Sequence, residues 1–198
     1  DRISGYYYPD STIAGFSHTH LSGTGAGDLY DISYMPVTLP YREAEAPLGI
    51  HSKFRHSDEE ASAGYYRVLL KDYNINVELT ATERCGIQRY TFPKAQSAVF
   101  LNLKKAMNWD FTQDSHIEVV DSCTIQGYRF SDGWARGQRV FFRTRFSKPF
   151  RSSEIDTTAI IQDGKTIGTA YVARFNFDTT DGEEIVLCTA LSGVSMEG

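Results

Sequence analysis

The 198-residue sequence contains no long hydrophobic run and no excess of basic residues. No stretch of about 18 apolar residues occurs, so a transmembrane helix is not predicted. The sequence also lacks a secretory signal-peptide pattern and begins on Asp1 rather than on methionine. Lys and Arg together number 20 against 25 Asp and Glu, and the resulting net charge of −5 argues against a nucleic-acid-binding surface.

Cysteine is scarce, with three residues at Cys85, Cys123 and Cys188. An odd number of cysteines cannot pair completely within one chain. All three lie in apolar or strand-like runs, so the sequence predicts buried free thiols. These residues neither require nor exclude an oxidising compartment.

The sequence lacks a convincing long amphipathic helix and any internal repeat, whereas runs of alternating apolar and polar residues are frequent. Residues 1–35 are predicted to be loop-rich and residues 36–62 a charged connection, with Asp58, Glu59 and Glu60 on a solvated face. Turns are predicted at Asn74 and at three Asp-Gly pairs. About ten strands are predicted from residue 64 onward, among them 66–71, 77–80, 98–103, 116–121, 123–130, 138–146, 154–162, 166–177 and 184–190. Strands at this spacing predict an all-β fold, an antiparallel β-sandwich.

The most distinctive stretch runs from Gly15 to Asp31 and combines two histidines with several hydroxyl side chains and glycines. His18 and His20 alternate with other residues, so in an extended segment both imidazoles would face the same side. Many short donors and acceptors on a fixed backbone suit a polar ligand such as a sugar. The alternative interpretation is a pair of hydrogen-bonded structural histidines. A zinc site would need further ligands, and nothing in the spacing recruits His51, His56 or His116.

The sequence allows three enzymatic interpretations to be considered for this chain, and they differ in the residues that they require. The glycines of the stretch do not form a phosphate-binding loop, because no βαβ unit surrounds them and no Lys-Ser or Lys-Thr pair follows. The serines show no nucleophile-elbow pattern. Paired carboxylates are the serious enzymatic alternative, since inverting glycosidases use an acid and a base on either side of the scissile bond. The candidate carboxylates are Asp10, Asp28, Asp31 and Glu83.

The stretch GFSHTHLSGTGAGDLYDI, with SGYYYPDSTI before it and Met35-Pro36 after it, resembles the amino-terminal domain of glycoside hydrolase family 92. The resemblance continues at residues 59–66, 78–84, 89–93, 133–135, 146–150 and 194–198. The chain departs from the family pattern at Ala14, Ala63 and Gln88, where an aromatic residue, a proline and a histidine are common. No departure removes a motif.

The resemblance implies part of a calcium-dependent, exo-acting α-mannosidase that hydrolyses mannose-containing glycans with inversion, with α-1,2 linkages expected. The family's amino-terminal domain is a β-sandwich, and residues 1–198 would be one such domain truncated at its amino-terminal end. The acid, base and calcium ligands lie in a helical catalytic domain beyond this chain, so no catalytic residue, metal ligand or cofactor is expected here. Alone, this part would be inactive.

By motif match, the residues expected to line the sugar pocket are His18, His20, Ser22, Thr24 and Asp28. The expected partners are a mannose-containing glycan and the missing catalytic domain, in a secreted bacterial protein of periplasmic or extracellular location. The alternative function is a stand-alone carbohydrate-binding β-sandwich module. If upstream strands are missing, a sheet edge or an apolar face is expected to be uncovered, and such an edge tends to self-associate.

Overall fold

The computed structural model describes residues 5–20, 29–41, 49–104 and 109–196. These residues form fourteen strands and one short 3-10 helix, His56–Asp58, and contain no α-helix. None of their helical segments is long or apolar enough to cross a membrane. The strands are β1 Thr12–Ile13, β2 Ser33–Thr38, β3 Ser52–Lys53, β4 Glu59–Ser62, β5 Tyr65–Leu70, β6 Ile75–Ala81, β7 Cys85–Phe92, β8 Ala95–Asn102, β9 Phe111–Asp121, β10 Thr124–Asp132, β11 Gln138–Phe146, β12 Ser152–Gln162, β13 Lys165–Thr179 and β14 Glu183–Ser192.

The strands form two large sheets, and every pairing within them is antiparallel. The eight-stranded sheet has the order β4-β5-β6-β7-β14-β11-β10-β9, and the four-stranded sheet has the order β12-β13-β8-β2. Strands β1 and β3 form a separate two-stranded pair. This arrangement confirms the predicted all-β antiparallel sandwich.

The core lies between the two large sheets and is built by residues at alternate strand positions. In β11, Phe142, Thr144 and Phe146 are buried, as the sequence pattern predicts. The Phe146 ring centroid lies 5.4 Å from that of Phe175 on β13, so the two sheets meet through aromatic contacts. Burial of such rings is the largest favourable contribution to a sandwich of this kind.

The predicted turns are present where residues adopt left-handed backbone conformations. Asn74 joins β5 to β6 with a φ of 52°. Asp163 and Gly164 join β12 to β13 with φ values of 49° and 73°, as a tight two-residue hairpin connection requires. Local turn chemistry therefore fixes these hairpins.

The structure contains strands that the sequence analysis assigned to loops or did not identify. Strand β2 includes Pro36, which cannot donate a ladder hydrogen bond, and β2 accommodates it at the edge of the four-stranded sheet. Among the described strands β2 pairs only with β8, and an isolated bridge joins it to Phe16. Strand β7 was not identified, although it is central in the eight-stranded sheet. Strands β3 and β4 and the 3-10 helix lie in the segment interpreted as a connection.

The cysteines are free, but the prediction that they are all buried is wrong. Cys188 is exposed, and Cys85 and Cys123 are only partly buried. Cys188 follows buried Leu187 and precedes buried Thr189 on β14. Because side chains alternate along a strand, Cys188 faces outward from the sheet.

Candidate functional site

The histidine-containing segment runs antiparallel to the residues that lead into β2. Phe16 bridges to Tyr34, and His20 bridges to Leu29. Between these bridges, the His18 amide donates to the Asp31 carbonyl and the Tyr30 amide donates to the Thr19 carbonyl, each at 3.0 Å. Of the predicted pocket residues, Ser22, Thr24 and Asp28 lie outside the described residues.

The returning segment is held in an unusual backbone conformation. Leu29, Tyr30 and Ile32 have φ values of 72°, 86° and 54°. Positive φ is uncommon for residues other than glycine and is a genuine outlier for a β-branched residue such as Ile32. Such strain, on the order of 1–3 kcal/mol per residue, persists only where surrounding contacts impose it, and it is frequent at functional sites.

Asp31 anchors this strained segment in the interior through a buried arginine. The Asp31 carboxylate accepts hydrogen bonds at 2.5 Å from Thr19 Oγ1 and from Arg129 Nη1. The Asp31 amide in turn donates to Thr19 Oγ1 at 3.1 Å. The side chains of Asp31 and Arg129 are fully buried. Asp31 is therefore committed to structure, and the structure argues against it as one of a pair of catalytic carboxylates.

Arg129 bonds a second buried carboxylate, Asp110. Its Nε also donates to Thr112 Oγ1 at 3.0 Å and to the Leu103 carbonyl at 3.2 Å. Burial raises the pKa of Asp110, and the neighbouring Arg129 partly offsets that effect. Among the described residues, Asp110 Oδ2 has no hydrogen-bond partner. Two carboxylates thus depend on one guanidinium for charge compensation.

His18 has the contacts of a structural histidine. Its Nδ1 lies 2.8 Å from the Ile32 carbonyl oxygen, so Nδ1 carries the proton and Nε2 is left as the acceptor. Gln88 Nε2 lies 3.5 Å from His18 Nε2, and the Tyr34 ring packs edge-on at 5.8 Å. Burial lowers the pKa of His18, which favours the neutral imidazole. These contacts favour the structural interpretation for His18, and its pocket role stays a prediction.

Gly86 on β7 provides the space that the His18 ring occupies. A Cβ atom on Gly86 would lie 2.4 Å from His18 Cδ2 and 2.8 Å from His18 Nε2. Any side chain at this position would therefore displace the imidazole from its hydrogen bond to Ile32. The sequence analysis did not single out Gly86, because its importance depends on a residue 68 positions earlier in the chain.

We expect Gly86→Ala to lower the free energy of unfolding by about 1–3 kcal/mol, because the added methyl group overpacks the His18 site. Urea denaturation monitored by circular dichroism measures this change. Gly193→Ala is the matched control, since nothing lies within 4 Å of a Cβ atom there. The control is expected to change stability by no more than about 0.5 kcal/mol. Equal effects of the two substitutions would contradict the described packing of His18.

His20, unlike His18, is exposed at the surface. Its ring lies against Gly5, where a Cβ atom would be 3.6 Å from His20 Cγ. Gly5 directly precedes exposed tyrosines, with Tyr6 52% and Tyr8 65% accessible. His20 therefore lies next to a segment that carries exposed aromatic rings, a combination that suits the apolar faces and polar rims of sugars.

The carboxylate of Glu59 connects this tyrosine segment to the rest of the fold through hydrogen bonds. Glu59 accepts hydrogen bonds from Tyr6 at 2.9 Å, Tyr66 at 2.7 Å and His56 at 2.5 Å. Burial acts to raise the pKa of Glu59, but these three hydrogen bonds outweigh it and lower the pKa. Tyr8 stacks on His56 with ring centroids 4.0 Å apart. The prediction that Glu59 lies on a solvated face is wrong, because only 11% of its side chain is accessible.

The described residues contain no group of three or more His, Cys, Asp or Glu side chains placed to hold a metal ion. His51 bonds the Gly49 carbonyl, His56 bonds Glu59, and His116 packs against Tyr128 and Tyr171. The buried carboxylates of Asp31 and Asp110 are bonded to Arg129. In this part of the chain, the side chains do not fit a calcium site.

The sequence model of the glycosyl hydrolase family 92 N-terminal domain matches residues 1–192. The chain belongs to glycosyl hydrolase family 92. This result confirms the resemblance seen in the histidine stretch and in the later motifs. A search among curated protein sequences finds no match.

Solved family 92 structures share the fold. The α-mannosidase BT3965 from Bacteroides thetaiotaomicron, in complex with mannoimidazole, is 32% identical with a TM-score of 0.84, and the match covers 98% of this chain and 28% of that chain. Another BT3965 structure gives 32% identity and a TM-score of 0.86, with coverage of 100% and 29%. The inverting mannosidase BT2199 from the same species is 24% identical with a TM-score of 0.75, covers 98% and 26%, and shows the fold alone. The chain thus spans less than a third of each relative.

One of the three positions at which the chain departs from the family 92 pattern, Gln88, lies beside the histidine segment. Gln88 stands where a histidine is frequent, and the structure places its amide beside His18 Nε2. The Gln88 side chain also donates to the Phe16 carbonyl at 3.4 Å and accepts from the Tyr90 hydroxyl. The substitution therefore keeps a hydrogen-bonding group against the histidine segment.

A separate recess of about 290 Å³ opens on the eight-stranded sheet, between Tyr65, Glu78, Arg89 and Val186. Glu78 is held there by two hydrogen bonds from Arg89 and one from Tyr65, all at 2.7 Å. Neither His18 nor His20 lines this recess. It is thus distinct from the histidine segment.

Proposed function

We propose that this chain is the amino-terminal domain of a longer exo-α-mannosidase, which removes α-1,2-linked mannose from glycans with inversion of configuration. The observation that carries the proposal is the 32% identity to an α-mannosidase, sustained over 98% of this chain. The family 92 match over residues 1–192 supports the same assignment. A periplasmic or extracellular location belongs to this proposal.

In this proposal the histidine segment supplies part of the wall of the mannose pocket. His20 offers an exposed imidazole, and the neighbouring Tyr6 and Tyr8 offer exposed ring faces. The bonds from Asp31 to Thr19 and Arg129 hold the backbone between the two histidines in place. Ser22, Thr24 and Asp28 are included by their place in the motif.

The proposed general acid, general base and calcium ion lie in the rest of the longer protein. Inversion needs two carboxyl groups about 6.5–9.5 Å apart with a water molecule between the base and the sugar. Asp31 cannot act as one of them, because its carboxylate is buried against Arg129. In this proposal, this chain binds and orients the sugar, and carboxylates in the rest of the longer protein transfer the protons.

We expect His20→Ala in the longer protein to lower kcat/KM for an α-mannoside by about tenfold to a hundredfold, the effect of losing one strong hydrogen bond to the bound sugar. The melting temperature should change little, because the His20 ring is exposed. Steady-state kinetics and thermal unfolding on the same variant measure both quantities. His116→Ala, whose ring packs against Tyr128 and Tyr171, is the control and should retain full activity. Unchanged turnover with reduced stability in His20→Ala would remove the pocket assignment.

A further inference from the structure

Strand β12 is a long sheet edge whose side chains are mostly exposed among the described residues. It spans eleven residues, Ser152–Gln162, and in the described part of the chain it pairs only with β13, at the end of the four-stranded sheet. Nine of its eleven side chains are exposed. An edge strand presents a row of unpaired backbone donors and acceptors that can pair with another strand.

The other edges of the two large sheets are shorter or partly covered in the described part of the chain. Strand β2 is almost entirely buried and is bridged by Phe16. Strand β4 has four residues. The first half of β9 is covered by β13, where Ser115 Oγ bonds the Thr169 carbonyl and the Tyr171 amide.

One of the two exposed faces of β12 carries apolar and β-branched side chains. Ile155 is 36% accessible and Ile161 is 67% accessible, and Thr157 and Ala159 lie between them on the same face. The strand contains no proline and no basic residue. Of its two acidic residues, Glu154 is neutralised by its own Arg174 at 2.5 Å. These are the properties that favour strand addition.

We propose that two copies of this chain associate through antiparallel pairing of β12 with β12, about a two-fold axis at Thr158. In this register Ile155 of one copy lies opposite Ile161 of the other, and Thr157 lies opposite Ala159. Each isoleucine contact occurs twice, because a two-fold interface repeats every pair. The exposed isoleucines thereby cover each other.

The charges on β12 favour this register over its neighbours. With the axis at Thr158, Glu154 lies opposite Gln162 and Asp156 lies opposite Ile160, so no like charges meet. An axis at Asp156 would place the two Asp156 carboxylates opposite each other, which is destabilising. An axis at Thr157 or at Ala159 would place no isoleucine opposite another. The Thr158 register alone among these joins both isoleucine pairs without charge repulsion.

Sedimentation equilibrium on three variants of this chain tests the pairing. Ile155→Glu and Ile161→Lys each place two charges against isoleucine, and each is expected to raise the dimer dissociation constant by at least about tenfold. The double variant places a glutamate opposite a lysine at both positions, and it should recover most of the lost affinity. Ile167→Lys on β13, an exposed isoleucine away from the edge, is the control and should leave the dimer unchanged.

Cross-linking tests the register independently, in a Cys188→Ser background that removes the exposed thiol. Thr158→Cys should form an intermolecular disulfide on mild oxidation, because opposite residues on paired strands have Cα atoms about 4.5–5.5 Å apart. Gln162→Cys should not, because its counterpart would be about 25 Å away along the strand. The proposal would be overturned by a chain that stays monomeric up to about 1 mM. It would also be overturned if neither single substitution weakened the dimer, or if the double variant bound no better than the single variants. In the cross-linking experiment, a disulfide at Gln162→Cys alone would overturn it.

Discussion

The isolated 198-residue chain is expected to release no nitrophenol from 4-nitrophenyl α-mannoside, with or without added calcium. Hydrolysis needs a positioned acid and base, and each contributes typically 10²–10⁴-fold to the rate. Asp31, which lies in the segment that pairs with the histidine-containing segment, is bonded to Thr19 and Arg129. The proposed acid and base lie in the part of the longer protein outside this chain. This chain covers 28% of the length of the α-mannosidase BT3965.

The longer protein, assayed in parallel, is the positive control and should hydrolyse the same substrate in the presence of calcium. Turnover by the isolated chain, abolished by substitution of Asp10 or Glu83, would show that the catalytic carboxylates lie within these residues. Tight binding of mannan by the inactive isolated chain would instead favour the stand-alone carbohydrate-binding module.

Arg129→Met should lower the free energy of unfolding by about 3–5 kcal/mol, the cost of leaving buried charges without their partner. Arg129 is fully buried and bonds both Asp31 and Asp110, so its removal orphans two carboxylates. Asp110 already has one unpartnered oxygen among the described residues. The loss would also release the strained segment at Leu29, Tyr30 and Ile32.

Arg151→Met is the matched control, because it makes the same change in an exposed ion pair. Arg151 and Asp178 are 62% and 58% accessible and lie 3.2 Å apart. Exposed pairs contribute about 0–1 kcal/mol, so this variant should remain close to the unsubstituted chain in urea denaturation. Comparable losses for the two substitutions would mean that the Arg129 network does not hold the histidine segment.

The strand-rich half of the fold could be predicted because its side chains alternate regularly. Strand β11, Gln138–Phe146, has the predicted bounds, and its buried residues alternate along the strand. The hairpin turn at Asp163 and Gly164 could be predicted because only a few residues adopt its conformation. Strand β2 could not be predicted, because Pro36 is incompatible with a central strand and its place at an edge is a tertiary property.

The role of Arg129 beneath the histidine segment could not be predicted, because β10 reverses the usual pattern of buried apolar and exposed charged side chains. Arg129 faces the core, whereas its neighbours Tyr128 and Phe130 face outward and stack on each other with centroids 4.4 Å apart. Hydrophobicity would place the two aromatic rings inside and the arginine outside. The burial of Arg129 is explained by its two carboxylate partners, Asp31 and Asp110. They lie 98 and 19 positions away in sequence, so the sequence pattern around Arg129 does not reveal them.

The motif identified the histidine segment as a candidate site, but the different surroundings of the two rings could not be predicted from it. His18 is packed against Gly86 and Gln88 on β7, and His20 lies at the surface beside Gly5. These contacts join distant parts of the sequence, so spacing within the motif cannot distinguish the two histidines. The structure therefore makes His20 the stronger candidate for contact with a sugar.

The most direct test of the account is a crystal structure of the longer protein with a mannose-like inhibitor bound. The account predicts a ring nitrogen of His20 within about 2.6–3.2 Å of a sugar hydroxyl, with the Asp31 to Arg129 pair intact behind it. A structure in which the inhibitor is bound and no residue from Phe16 to Asp31 touches it would contradict the claim that this segment forms part of the mannose pocket.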